Sequence, residues 1–399
     1  MNSSSPKRRS LTLATCCGVH GLQDGLTDLL YVLLPILAQA FGLNYSQIGI
    51  IRAANRSAMA LFEIPAGLLS ERFGERTLLV FGLVSVGIGY LTLSVANGFI
   101  AVVLCLFLAG FGAAFQHTLN SSVISKTFGG SGRRAALGTY NSSGDVGKLA
   151  FAGIFTLSVG VGVAWQNLVT GFGVAALLAA VVTLVILYRL DVGGRPSINK
   201  DVPTTSAALG WGFRNRTAFA ALGMIVFFDI AVQGGFLTFL AFLMIEKNVP
   251  ASLGAFAVVL TLVGGVFGKF SCGFLASKLG VIRSLVLVEC LTAVGIVAIL
   301  LLPTLAAYFL LPVIGAVLQG SSSITYGTVS DLVHDDRQSR GFSVIYSIAN
   351  GAAILAPIGF GLIGDRFGLT TTMLTMACII LIPLPLCLLL RQGLTSQYV

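Results

Sequence analysis

The sequence predicts an all-α membrane protein with twelve transmembrane helices in two pseudo-symmetric six-helix bundles. Three observations carry this: a composition far too apolar for a soluble domain, apolar segments of spanning length cut at regular charge clusters, and a motif that recurs between the two halves. Of the 399 residues, 56% are hydrophobic and only 10% are Asp, Glu, Lys or Arg, against the roughly 25% charged that soluble domains carry. With 27 Phe, 48 Gly and 11 Pro, disorder and collagen-like repeats are excluded as well.

A spanning helix needs roughly 20 mostly apolar residues. The first segment, 13–41, follows Lys7-Arg8-Arg9 and mimics a signal peptide, but its apolar character runs on past Asp24 without a small-residue cleavage site. Segments 46–69 and 77–96 are separated by a charged turn, 98–126 ends at Lys126, and 134–159 and 163–189 complete the first half. Residues 191–216, rich in Gly, Pro, Ser, Thr and Arg, form the one long polar stretch and read as a central cytoplasmic loop. The second half supplies 217–245, 252–276, 282–302, 305–332, 341–363 and 369–390. The expected domains are therefore 1–190, the loop 191–216, and 217–399. Several segments exceed the minimum, so tilt is expected.

With both termini cytoplasmic, the inner loops and tails hold 18 of the 24 Lys and Arg, including Arg72, Arg76, Lys126, Lys200, Lys278 and Arg337. Only Lys247 and Arg366 fall outside, which satisfies the positive-inside rule and places the chain in the inner membrane as a multi-pass protein. The net charge of +9 is thereby assigned to loops rather than to a nucleic-acid surface. Trp165 and Trp211 sit where interfacial anchors belong. The seven Cys lie in apolar stretches without metal-ligand spacing and read as small apolar fillers.

The turn Gly67-Leu68-Leu69-Ser70-Glu71-Arg72-Phe73-Gly74-Glu75-Arg76 is matched 206 residues later by Gly273 to Gly280, with Lys278 in the basic place. At nearly the same offset Asp24 falls beside Asp229, and Glu63 falls on Lys269. Parallel halves of this kind are the mark of carriers that rock about a midplane site. The turn resembles the loop motif of the major facilitator superfamily, Gly-x-Leu-x-Asp-Arg-x-Gly-basic-basic, with Glu71 in place of Asp and Glu75 in place of a basic residue. The resemblance implies a gating role for Gly67, Glu71, Arg72, Gly74, Arg76, Gly273, Lys278 and Gly280, in which Glu71 caps a helix end and pairs with Arg; Glu75 would weaken that gate. A second resemblance is to the fosmidomycin-resistance-type efflux branch, carried by His20-Gly21-Leu22-Gln23-Asp24, by Phe41-Gly42-Leu43 with Gln47-Ile48-Gly49, and by Gly110-x-Gly112 with Phe115-Gln116-His117. Thr118 stands where that branch has Pro, and Gly144-Asp145-Val146-Gly147-Lys148 keeps the glycines of the antiporter motif but lacks its Pro.

A charge at the centre of a spanning helix costs on the order of 3 kcal/mol, so interior charges point to a pathway or relay. His20, Asp24 and Asp28 share one face of the first helix, and Arg52 and Arg56 one face of the second. At about 1.5 Å per residue Asp24 reaches the depth of Arg56, and Asp28 that of Arg52. Locked pairs that merely hold two helices together are the competing reading. Proton coupling is assigned to Asp24, Asp28, His117 and Asp145, since burial and a neighbouring cation act oppositely on a carboxyl's hold on its proton; His117 serves equally well as a satisfied interior His. Substrate contacts are assigned to His20, Arg52, Arg56, Lys148, Asp229, Gln233 and Tyr346, although Asp145 and Lys148 can simply pair with each other. Asp365 and Arg366 read as a surface pair.

The expected function is alternating-access transport of a small organic solute, by proton-coupled efflux of an anionic or zwitterionic compound or, as the alternative, by proton-coupled uptake. Partners are the small-molecule substrate, protons and the bilayer, with a monomeric chain. No cofactor or metal is expected: HExxH, GxSxG and P-loop patterns are absent, which speaks against an enzyme. A channel fits hydropathy alone, but not the repeat.

Overall fold

The computed structural model describes residues 5–128, 130–195, 212–334 and 338–394. Lys200, Trp211 and Arg337 lie outside the described residues. Helix α1 (Pro6–Phe41) opens on a cap its own sequence supplies: the Ser5 side chain accepts from the Arg8 amide, Pro6 takes the first turn, and Gly42, at φ 62°, ends the helix in the left-handed region. Twelve further helices follow among the described residues: α2 (Tyr45–Phe73), α3 (Glu75–Leu93), α4 (Phe99–Ala113), α5 (His117–Thr127), α6 (Gly130–Gly160), α7 (Trp165–Arg189), α8 (Arg216–Glu246), α9 (Ala251–Leu279), α10 (Val281–Leu301), α11 (Thr304–Leu332), α12 (Gln338–Ile379) and α13 (Pro383–Arg391).

The expected segments all fall mainly on helices, with three differences, one of them a turn at 380–382 that divides segment 369–390 between α12 and α13. Segment 98–126 is broken: Ala114, Phe115 and Gln116 bond back to Phe111, Gly112 and Ala113, the tight three-residue pattern that separates α4 from α5. Segments 341–363 and 369–390 meet without a loop, because Gly368 at φ 81° turns the chain inside α12. Among the described residues nine helical stretches are long and apolar enough to cross a membrane, one of them the 51-residue stretch Gly341–Arg391. Helices α2 and α6 fall short of that measure, as expected of segments that carry Arg52, Arg56, Asp145 and Lys148.

The chain divides into two compact units, Met1–Leu43 with Ile50–Lys200, and Asn44–Gly49 with Asp201–Val399. In the first, α1 packs on α6 and α3 on α4 and α7. The α1–α6 contact depends on glycine: a Cβ on Gly147 would run into the Gly21 backbone, and one on Gly25 would meet the Gly147 carbonyl at 2.8 Å. In the second, α9 packs on α11 and α8 on α12, again through glycine, with Gly264 against the Pro312 carbonyl and Gly268 against Ala316. Asp365, expected as half of a surface pair with Arg366, instead accepts from the Tyr45 and Ser46 amides at 2.7 and 2.9 Å and from the Ser46 hydroxyl. The carboxylate thus caps a helix start, where orphan N–H groups and the helix dipole favour it.

The duplicated turn has a shared backbone geometry. Gly74 stands at φ 81°, ψ 149° before α3, and Gly280 at φ 82°, ψ 162° before α10, a region that favours glycine. Gly368 adopts the same angles, φ 81° and ψ 165°. At the first turn Arg76 donates its amide to Gly193 at 2.8 Å and lies over the Tyr188 ring.

Candidate functional site

Helix periodicity places His20, Asp24, Asp28 and Tyr31 along one side of α1, and the first unit gathers six further functional groups around them from α2, α5 and α6. Asp28 is the hub. Its Oδ1 accepts from Arg52 at 3.2 Å and from Arg56 at 3.1 Å, and its Oδ2 lies 3.6 Å from the Lys148 ammonium. The sequence matched Asp24 to Arg56 by depth; the structure corrects this, since both arginines converge on Asp28. A guanidinium stem spans more than a helical turn, so depth along the axis does not fix the partner.

Arg52 is fixed on three sides. It is 2% exposed, donates to the Thr27 carbonyl at 3.0 Å and stacks 3.9 Å above the Tyr31 ring, a desolvated cation–π contact. Arg56 and Lys148 each keep about a quarter of their side-chain surface and are the more exposed of the three cations.

Asp24 is held by a different set. Lys148 lies 3.3 Å from Oδ2, His20 Nε2 3.3 Å from the same oxygen, and His117 Nε2 3.4 Å from Oδ1. The His20 ring stacks on Tyr140 at 4.0 Å between centroids, and its Nδ1 lies 2.6 Å from the Tyr140 carbonyl. Gln116 at the α4–α5 break donates to the Tyr140 hydroxyl at 3.0 Å. Asp145 is 3.7 Å from Lys148, so the two alternatives left open for this pair hold together: they pair, and they join the helix-one cluster. Three carboxylates and three permanent cations share one buried region, which makes each charge tolerable only through the others.

His20, Asp24 and His117 bring their ligating atoms within 4.8 Å of one another. Lys148 already occupies the Asp24 carboxylate, and an ammonium in that place opposes a second cation, so the group is held as an ion-pair network.

The other expected residues are placed elsewhere. Asp229, 2% exposed, accepts from the Ser321 hydroxyl at 2.8 Å on both oxygens, while Gln233 lies one turn on, partly buried. Tyr346 is half exposed, its ring 5.2 Å from that of Tyr326. In the loop motif Glu71 and Arg72 are exposed, and the engaged carboxylate is Glu75, 3% exposed, bonded to Lys126 and to Ser122 at 2.8 Å. Gly67 accepts from Ser70 at 2.6 Å, Lys278 lies over the Phe274 ring, and a Cβ on Gly273 would be 3.9 Å from Ser323. Sequence reasoning missed Tyr31, Tyr140 and Ser321. Tyr31 was accessible, three residues from Asp28 on the same helix face; of the contacts Tyr140 makes, the one to His20 Nδ1 comes from its main-chain carbonyl, which no side-chain pattern reports.

The family model described as Major Facilitator Superfamily matches residues 16–357. The chain belongs to the Major Facilitator Superfamily. Among the superfamily's curated proteins it is 26% identical to the uncharacterized MFS-type transporter YfnC of Bacillus subtilis over 90% of this chain and 87% of that one. It is 23% identical to the hexuronate transporter of the same organism, covering 85% and 84%, and 26% identical to the fosmidomycin resistance protein of Escherichia coli, covering 62% and 63%. Among solved structures it superposes on a bacterial homolog of the human lysosomal transporter Spinster with a TM-score of 0.86 at 17% identity, over 99% of both chains. This superfamily member is thus a multi-pass membrane transporter of small organic solutes, not an enzyme.

Proposed function

We propose that the chain is a proton-coupled carrier of a small organic anion or zwitterion, working by alternating access in the inner membrane with both termini cytoplasmic. The observation that carries this is Asp28 clasped by Arg52, Arg56 and Lys148, with Asp24 sharing Lys148. When a proton neutralises one carboxylate of a balanced set, a cation is left without its counter-ion, and an incoming carboxylate or phosphonate restores the balance through charge-assisted, partly bidentate bonds. Proton and anion then bind together, which favours symport. The partners named for two relatives, hexuronate and 3-(3-hydroxy-phenyl)propionate, are carboxylates and support the anion class.

Efflux by antiport is the second reading, favoured by similarity to the fosmidomycin resistance protein. Everted membrane vesicles with a pH-sensitive dye separate the two. Adding a carboxylate or phosphonate releases lumenal protons under antiport and alkalinises the medium under symport. Either signal, lost in Asp24→Asn, supports proton coupling at this site; a panel of anions that moves no protons overturns it.

A further inference from the structure

We infer that the His20–Asp24 contact is itself a bound-proton site, so that in this conformation the cluster carries one proton beyond its three balanced ion pairs. The inference rests on the proton-coupled reading above and adds the place and the charge class. A backbone carbonyl only accepts hydrogen bonds. The His20 Nδ1, 2.6 Å from the Tyr140 carbonyl, must therefore be the N–H nitrogen, and in a neutral imidazole the other nitrogen, Nε2, is then a bare lone pair. That lone pair faces Asp24 Oδ2 at 3.3 Å. Two acceptors turned toward each other in a buried site repel, whereas one hydrogen between them makes a charge-assisted bond.

His117 differs. Nothing fixes its Nδ1 as the donor among the described contacts, so a neutral His117 can turn an Nε2–H toward Asp24 Oδ1 at 3.4 Å. Of the two histidines, His20 is the one whose contact requires the extra proton.

The loaded pair can be drawn as imidazolium with carboxylate or imidazole with carboxylic acid; these differ only in which atom holds the hydrogen. On release the proton passes to water and the bonding electron pair stays behind, leaving neutral His20 and anionic Asp24 with Lys148 as its counter-ion. The bare Nε2 and Oδ2 then have to part. Gly144 of α6 borders the contact: a Cβ there would lie 2.7 Å from His20 Cε1 and Nε2 and 2.8 Å from Asp24 Oδ2. The groups facing the pair are Asp28 on its own helix, Tyr140, Asp145 and Lys148 from α6, His117 from α5, and Arg52 and Arg56 from α2. With Arg52, Arg56, Lys148 and the added proton set against Asp24, Asp28 and Asp145, the loaded cluster is one charge positive. The matching substrate is a monoanion.

The chain has three histidines, His20, His117 and His334, so nitrogen-15 NMR of histidine-labelled protein in lipid bilayers resolves the question directly, with His117→Gln and His334→Gln identifying the remaining signal. The expected result at neutral pH without substrate is a His20 with Nδ1 protonated and Nε2 either protonated or shifted well away from the free-nitrogen position, reverting to the neutral Nδ1–H form in Asp24→Asn. A neutral His20 protonated at Nε2 alone, or with Nε2 at the free-nitrogen position, overturns the inference. If His20 Nε2 stands at the free-nitrogen position while vesicles still couple anion and proton movement, only this inference falls; if the pair holds its proton and no anion moves protons, the functional reading falls instead.

Discussion

The two units bury their carboxylates by opposite means. In the first, Asp24 and Asp28 are met by Lys148, Arg52, Arg56 and two imidazoles, every contact between 3.1 and 3.6 Å. In the second, Asp229 has the Ser321 hydroxyl, and Glu289 on α10, 1% exposed, has a hydrogen bond to neither oxygen among the described residues. No Lys, Arg or His pairs with either among the described residues. An uncompensated carboxylate in apolar packing costs several kcal/mol, so Glu289 belongs to the core as a neutral acid, whereas each carboxylate of the first cluster has cationic partners beside it.

The sharpest way to break that comparison is Asp28→Asn, which strips the shared counter-ion from Arg52, Arg56 and Lys148. Removing one partner of a buried pair costs roughly 3–5 kcal/mol, so transport should vanish and thermal unfolding in detergent should fall well below that of the parent. Normal transport by this variant would reduce the cluster to a passive strut.

Gly144→Ala should come next. Its methyl group forces His20 and Asp24 apart, and proton-coupled uptake into vesicles should drop about tenfold or more, a loss equivalent to roughly 1.4 kcal/mol. Gly138→Ala on the same helix, with nothing within 4 Å of the added carbon, should leave transport unchanged. Equal effects of the two would mean that the helix rather than the proton contact is at stake.

Arg56→Ala should raise the concentration of anion needed for half-maximal transport by about ten- to a hundredfold, the loss of one charge-assisted bond of roughly 1.5–3 kcal/mol. The smallest effect belongs to the second unit: Glu289→Gln exchanges one neutral group for another of the same shape and should alter thermal stability by less than about 1 kcal/mol. A large loss there would show that Glu289 is ionised in the working protein.

The helices were legible in the sequence because burial in lipid demands long apolar runs and closes off alternatives; each of the twelve segments lies mainly on helix, two of them interrupted by a short break. The members of the cluster were legible for the same reason, since charge inside a membrane stands out. Their pairing was not. Helical rise gave the depths of Arg52 and Arg56, but side-chain reach and the Tyr31 ring brought both to Asp28. Nor did the sequence announce the break at 114–116, where an apolar run with Gly110 and Gly112 leads without proline or a charge into Gln116, or the substitution of Glu75 for Glu71 as the engaged acid, which follows from where Lys126 and Ser122 of α5 lie.

At Gly21 and Gly147 the main chains of α1 and α6 touch, with no room for a single carbon between them. A seam of bare backbone excludes water as well as side chains, so neither strand of it can open to solvent alone. In deuterium exchange the amides along this seam should behave as one cooperative block, slow together and released together, while the half-exposed turns at the ends of the same helices exchange early. The proton pair and the lysine that serves it are therefore mounted on a single mechanical part.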